Sequence, residues 1–250
     1  MLTVGKTIDR LSDARFSPKV VIFDIEGTLV DTVLPNLRCW AETLERFGFT
    51  FNTADLHRFS GMDGAEMLEQ IIPQRDLRDL RARILADHGH CYRQQFIDSV
   101  QPIPGTLELI LEIKRLGIRV AAVSGCQRDE LMHYCKLMKA EGLFDALACG
   151  TDLSKQKTHA NLIDLALKRL RIRDRTKVIM IGDTPFDAIA ARRGGVTPLG
   201  VLTGYFSASE LLSAGCSVVF RKAHGLLEIL NPPRLTARAG SLSRSAAHAL

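Results

Sequence analysis

The apolar positions of this chain follow two rhythms. From Pro102 onward, short apolar runs alternate with segments whose apolar residues recur every three or four positions; between Asp31 and Pro102 only the second rhythm occurs. The short runs at 20–23, 119–124, 146–149, 177–181, 197–201 and 218–220 predict strands. Helices are predicted between them over 106–116, 129–139, 158–170, 186–193 and 207–214. Alternation of this kind predicts an α/β fold built on a doubly wound parallel sheet with helices on both faces. The intervening stretch predicts helices over 33–47, 54–59, 65–72 and 76–96, broken at Ser60-Gly61 and Pro73. Leu34, Leu37, Trp40, Leu44 and Phe47 stand at helical spacing and predict the buried face of the first.

A small all-helical unit is thus spliced into an α/β core directly after its first strand. The predicted division is an extension over 1–17, a core of 18–31 and 102–230, a helical insert over 32–101 and a tail from 231 to 250. The tail holds Pro232-Pro233, three Arg, many Ser and Ala and no acid, a composition that predicts disorder.

Composition narrows the class. A hydrophobic content of 46% over 250 residues supports a substantial core. The net charge of +5 is spread along the chain apart from a small excess in the tail, so a nucleic-acid partner is not expected, whereas an anionic small substrate is compatible with it. The six cysteines form no CxxC pair, which points to a reducing, cytoplasmic setting rather than a disulfide framework or structural zinc. Asp9 and Asp13 interrupt the N-terminal stretch, which does not read as a signal peptide, and no run is apolar enough to predict a membrane span.

Candidate chemistry collects at the ends of the predicted strands. The first delivers Asp24, followed two residues on by Glu26 and then by Gly27 and Thr28. One such carboxylate can attack while the other moves protons. The second strand ends in Ser124-Gly125, and the fourth in Gly182-Asp183, with Asp187 four residues later. Ligands of open parallel sheets bind beyond the carboxyl ends of the strands, so these side chains converge. Lys157 precedes a predicted helix, with Lys155 as its rival. Asp187 also reads simply as a first-turn acid favoured by a helix dipole.

Taken in order, Asp24 to Thr28, Ser124-Gly125, Lys157 and Gly182 to Asp187 resemble the four motifs of the haloacid dehalogenase superfamily, over roughly Lys19 to Leu230. Gly182 to Gly195 is similar to its phosphoglycolate-phosphatase-like branch. The resemblance implies a Rossmann-like core with residues 32–101 as a cap. It also implies a Mg²⁺-dependent phosphomonoester hydrolase of a small phosphorylated metabolite, acting through an aspartyl-phosphate on Asp24. Asp24, Asp183 and the Glu26 carbonyl would hold the metal, with Asp187 acting through water or on Lys157. Thr28, Ser124, the Gly125 amide and Lys157 would bind phosphate, and Thr28 would also support the loop through a local hydrogen bond.

The main departure is Glu26, where the branch carries Asp as general acid and base; the extra methylene moves the carboxyl by about 1.5 Å. The same Asp-Ile-Glu-Gly-Thr string resembles that of the enolase-phosphatases of methionine salvage. Alternatives are a phosphosugar mutase, although Asn36 stands where those enzymes carry His in the first cap helix, and a weakened protein kept for binding or regulation. His57 to Gly64 resembles a cap loop of the branch, and Arg58 is a candidate for meeting an anionic substrate. Cys126, at a predicted helix start, is a candidate for a stabilised, oxidant-sensitive thiolate.

Overall fold

The computed structural model describes residues 17–153 and 159–230. The predicted extension (but for Ser17), the predicted tail, Lys155, Lys157 and Thr158 lie outside the described residues.

Six strands form one parallel sheet: β1 (Val20–Asp24), β2 (Arg119–Ser124), β3 (Ala146–Cys149), β4 (Val178–Gly182), β5 (Thr197–Val201) and β6 (Val219–Phe220), in the order β3-β2-β1-β4-β5-β6. The central strands are buried on both faces, which is why they read as unbroken apolar runs rather than alternating ones. The pleat sorts them. Val21, Phe23, Val120 and Ala122 pack on one side with Leu109, Ile110 and Ile113 of α5 (Thr106–Arg115) and with Leu131 and Tyr134 of α6 (Arg128–Leu137). Val20, Ile22, Ala121 and Val123 pack on the other with Leu162, Ile163 and Ala166 of α7 (His159–Arg169) and Ala190 and Ala191 of α8 (Pro185–Arg193). Leu211 of α9 (Ala208–Ala214) packs with Ala188 and Cys216 at the β5–β6 end of the sheet, and Leu226 and Ile229 of the last helical turns, ending in α10 (Leu227–Leu230), complete the first layer. These last turns are too short to leave a periodic signal, and the sequence pattern does not reveal them.

Within residues 32–101, the segment expected to be a cap, lie α1 (Val33–Arg46), α2 (Thr53–His57), α3 (Gly64–Ile71) and α4 (Gln74–Cys91). The cap has a core of its own, with Leu37, Trp40 and Leu44 of α1 against Leu56, Leu68, Leu77 and Ile84. Its buried stripe begins at Val33 rather than Leu34, which is 40% exposed, because the helix rotates Val33 and Trp40 inward together. The helix expected to run to Phe96 loosens at Cys91 into a π-helical turn over Tyr92–Phe96. Tertiary contacts explain the change: the Tyr92 hydroxyl meets that of Tyr134 at 2.8 Å and Arg93 donates to Glu130 at 3.1 Å, both across the cap–core boundary.

The chain enters and leaves the cap side by side. The Asp31 amide donates to the Gln101 carbonyl at 2.8 Å, and the Ile103 amide donates to Leu29 at 2.9 Å. No described helix is long and apolar enough to cross a membrane.

Candidate active site

Strand order reverses at β1, so a crevice opens beyond the carboxyl ends of β1 and its neighbours. Register then places the side chains. Phe23 pairs with Ile181, which sets Asp24 beside Gly182 and next to Asp183; Asp24 pairs with Val123, which sets Ser124 one step beyond. Asp187 arrives from the first turn of α8, where Thr184 is the N-cap and Pro185 opens the helix. Its Oδ2 accepts from the Thr184 amide at 3.0 Å and from the Thr184 hydroxyl at 2.7 Å. The helix-cap role and the place in the carboxylate cluster are therefore both real for Asp187.

One oxygen from each of Asp24, Asp183 and Asp187 lies within 4.8 Å of the others, and all three residues are buried. Burial first, and then the Asp187, Asp183 and Glu26 carboxylates, hold the Asp24 pKa well above the ordinary carboxylate range. Burial and Asp187 raise Asp183 in the same direction, against the lowering effect of a hydrogen bond from Thr28. Such a cluster of like charges is unfavourable alone and fits a cation. Its donors are all carboxylate oxygens, the set that suits a small hard divalent ion.

Glycines make room for this crowding. Gly27 has φ of +81°, and a Cβ there would overlap the Asp183 carboxylate. A Cβ at Gly182 would overlap Asp187.

Thr28 does more than support its own loop. Its buried hydroxyl donates to Asp183 Oδ1 at 2.9 Å, a bond that reaches across the sheet rather than the local one expected. The Ser124 hydroxyl donates to Glu26 Oε2 at 2.9 Å and accepts from the Cys126 amide at 3.1 Å. Glu26 thus spans to the end of β2. The expectation of a stabilised thiolate at Cys126 is corrected: the residue is only 9% exposed, and burial, with the Glu26 carboxylate adding to it, raises the thiol well above its ordinary value.

A cavity of about 900 Å³ lies between these carboxylates and the cap. Asp24, Glu26, Gly125, Asp183 and Asp187 line its core side. Ser60 to Gly64, within the expected cap loop, line the other. This loop is seated on the core: His57 Nε2 donates to the Gly204 carbonyl at 2.8 Å, and a Cβ at Gly61 would lie 2.6 Å from Thr184 Oγ1. Arg58 is not part of the lining; its exposed guanidinium lies over the Phe59 ring at 4.7 Å. Arg93 lines the cavity instead, together with His88, Trp40 and Asn36. Sequence reasoning passed over Arg93 and His88, because nothing local to α4 marks a helix that contributes to a site. The chain's single Trp, on an amphipathic cap helix, was the available hint.

The profile of the haloacid dehalogenase-like hydrolases matches residues 21–201. The chain belongs to that family. A phosphoglycolate phosphatase from Agrobacterium fabrum is 27% identical over 197 residues, 74% of this chain and 81% of its own. A phosphorylated carbohydrates phosphatase from Thermotoga maritima is 24% identical over 214 residues, covering 85% and 98%. A crystal structure of a hydrolase from Pseudomonas syringae superimposes with a TM-score of 0.74 at 25% identity, covering 85% of this chain and 97% of that one. The α/β core is thus that of a haloacid dehalogenase-like hydrolase, as the motifs implied.

Proposed function

We propose that this protein is a Mg²⁺-dependent phosphatase of small organic phosphate monoesters, acting through an aspartyl-phosphate on Asp24. The observation that carries the reading is the meeting of Asp24, Asp183 and Asp187 within 4.8 Å beneath the cap. The phosphatase names of its relatives support it.

Asp24, Asp183 and the Glu26 carbonyl would hold Mg²⁺, with Asp187 beside them. The bound ion supplies positive charge that offsets the carboxylates and the phosphoryl oxygens. The Asp24 carboxylate attacks phosphorus; a bond forms between its oxygen and phosphorus while the ester bond to the leaving oxygen breaks. Glu26 delivers a proton to that oxygen and is left as a carboxylate. In the second step Glu26 removes a proton from water, the water oxygen bonds to phosphorus, and the Asp24–phosphorus bond breaks to release phosphate. The Gly125 amide and Lys157 bind the phosphoryl oxygens, and the Ser124 hydroxyl joins them by turning from Glu26 Oε2 as the phosphate enters. Thr28 stays on Asp183. Contacts of His57, Gly61, Tyr92 and Arg93 with the core hold the cap down and limit access of bulk water.

Quenching turnover of an aryl phosphate with borohydride tests the intermediate, because an acyl phosphate is reduced and a free carboxylate is not. Peptide mass analysis is expected to find the reduced side chain at position 24. Reduction at another carboxylate, or none during active turnover, would overturn the assignment.

A further inference from the structure

The cap side of the cavity has an uneven chemistry. Asp63 and Glu66 line it, and no lysine occurs between Lys19 and Lys114. Among the described lining residues Arg93 is the single cation, and it is paired with Glu130 at 3.1 Å. A second anionic group on a substrate would therefore face carboxylates and, among the described lining residues, a single guanidinium already engaged with Glu130. The cavity, at about 900 Å³, is near the upper end of the range of roughly 300–1,000 Å³ for small-molecule sites, far more than a phosphoryl group with a two-carbon tail fills.

His88 supplies a neutral polar group on this side. Its ring stacks on Trp40 with centroids 3.7 Å apart and planes 13° from parallel. Nε2 lies 3.0 Å from Asn36 Oδ1, an oxygen that can only accept, so Nε2 carries the hydrogen. Nδ1 is then an acceptor, and among the described residues no hydrogen bond reaches it. Burial, and then the charge of Arg93, lower the ring to about 3, so it stays neutral across the physiological range. A neutral Nδ1 acceptor rewards a hydroxyl and offers nothing to a carboxylate or a second phosphate.

We propose that the cap selects a phosphomonoester whose leaving group is an uncharged, hydroxyl-bearing body of sugar or polyol type, and that His88 is a specificity-determining residue whose Nδ1 accepts one of its hydroxyl hydrogens. This rests on the phosphatase reading above and adds to it a substrate class and a residue. Asn36 is the positioning residue, fixing the tautomer, and Trp40 fixes the plane of the ring.

The experiment measures kcat/KM of the full chain with Mg²⁺ on a hexose monophosphate, phosphoglycolate, pyrophosphate and p-nitrophenyl phosphate. The hexose monophosphate is expected to exceed phosphoglycolate and pyrophosphate by at least about tenfold. In His88→Phe, which keeps a ring against Trp40, the ratio of kcat/KM for hexose monophosphate to that for p-nitrophenyl phosphate is expected to fall about three- to tenfold, chiefly through KM. Hydrolysis of p-nitrophenyl phosphate with a preference for phosphoglycolate or pyrophosphate would overturn the proposal and leave the phosphatase reading standing. So would an unchanged ratio in a folded His88→Phe. No hydrolysis of any of the four would overturn both. The wild-type panel keeps the proposal open to refutation should the variant fail to fold.

Discussion

Replacing Thr28 by Val is the sharpest probe of how the carboxylate cluster is held. The two side chains have the same shape, and the position is fully buried, so the substitution removes one hydroxyl and little else. That hydroxyl donates to Asp183 Oδ1 at 2.9 Å and is a cause that lowers the Asp183 pKa against burial and the Asp187 charge. A hydrogen bond to a charged acceptor contributes roughly 1.5–3 kcal/mol. Losing it disfavours the ionised carboxylate by that amount, which corresponds to about 10- to 100-fold in affinity for a cation held by Asp183, the usual range when a partner of a metal ligand is removed. The assay is the Mg²⁺ concentration giving half-maximal hydrolysis of an aryl phosphate. It should rise at least about tenfold in Thr28→Val, with much of the saturated rate recovered at high Mg²⁺. A half-saturation point within about twofold of wild type, in a protein that melts normally, would refute the claim that Thr28 tunes Asp183 for a cation.

Three further outcomes are expected. In EDTA the raised native pKa values of Asp24 and Asp183 contribute stability that is fully present below the ordinary carboxylate range and is lost as pH rises through the raised values. The rise in Tm on adding Mg²⁺ should therefore grow from about pH 5 to about pH 8, and a shift independent of pH would contradict this sign. Glu26→Asp shortens the side chain by about 1.5 Å and breaks its 2.9 Å contact with Ser124, so kcat should drop by up to about 100-fold; a gain in kcat would show that Glu26 is a defect rather than a fitted acid and base. Gly27→Ala, which drives a methyl into the Asp183 carboxylate at φ of +81°, should abolish Mg²⁺-dependent hydrolysis and lower Tm, as measured by activity and thermal melting; wild-type values for both would contradict the packing described.

Much of the architecture was legible because a parallel sheet buried on both sides demands continuous apolar runs, and residues 119–124, 146–149 and 197–201 met their predicted bounds. The convergence of Asp24, Ser124 and Asp183 was legible for the related reason that strand ends in such a sheet point to one crevice. Features made by tertiary contact were not. Helical spacing admitted Leu34 to the buried stripe of α1, and only packing against the cap core showed that Val33 holds that place. The π-helical turn at Tyr92–Phe96 depends on Tyr134 and Glu130, residues some forty positions away. The pairing of His88 with Asn36 and Trp40 joins two helices of the cap that no local motif connects. Cys126 misled because its position at a helix start suggested a stabilised anion, whereas burial beside Glu26 decides its protonation.

The most direct test of the central claim is hydrolysis of p-nitrophenyl phosphate by the wild type with Mg²⁺, by the wild type with EDTA, and by Asp24→Asn with Mg²⁺. The account predicts turnover in the first and, in the other two, a loss of at least about 1,000-fold, the scale of removing a nucleophile or the charge that supports it. Turnover that survives EDTA, or that survives Asp24→Asn in a folded protein, would contradict a phosphatase built on Asp24 and a carboxylate-held cation.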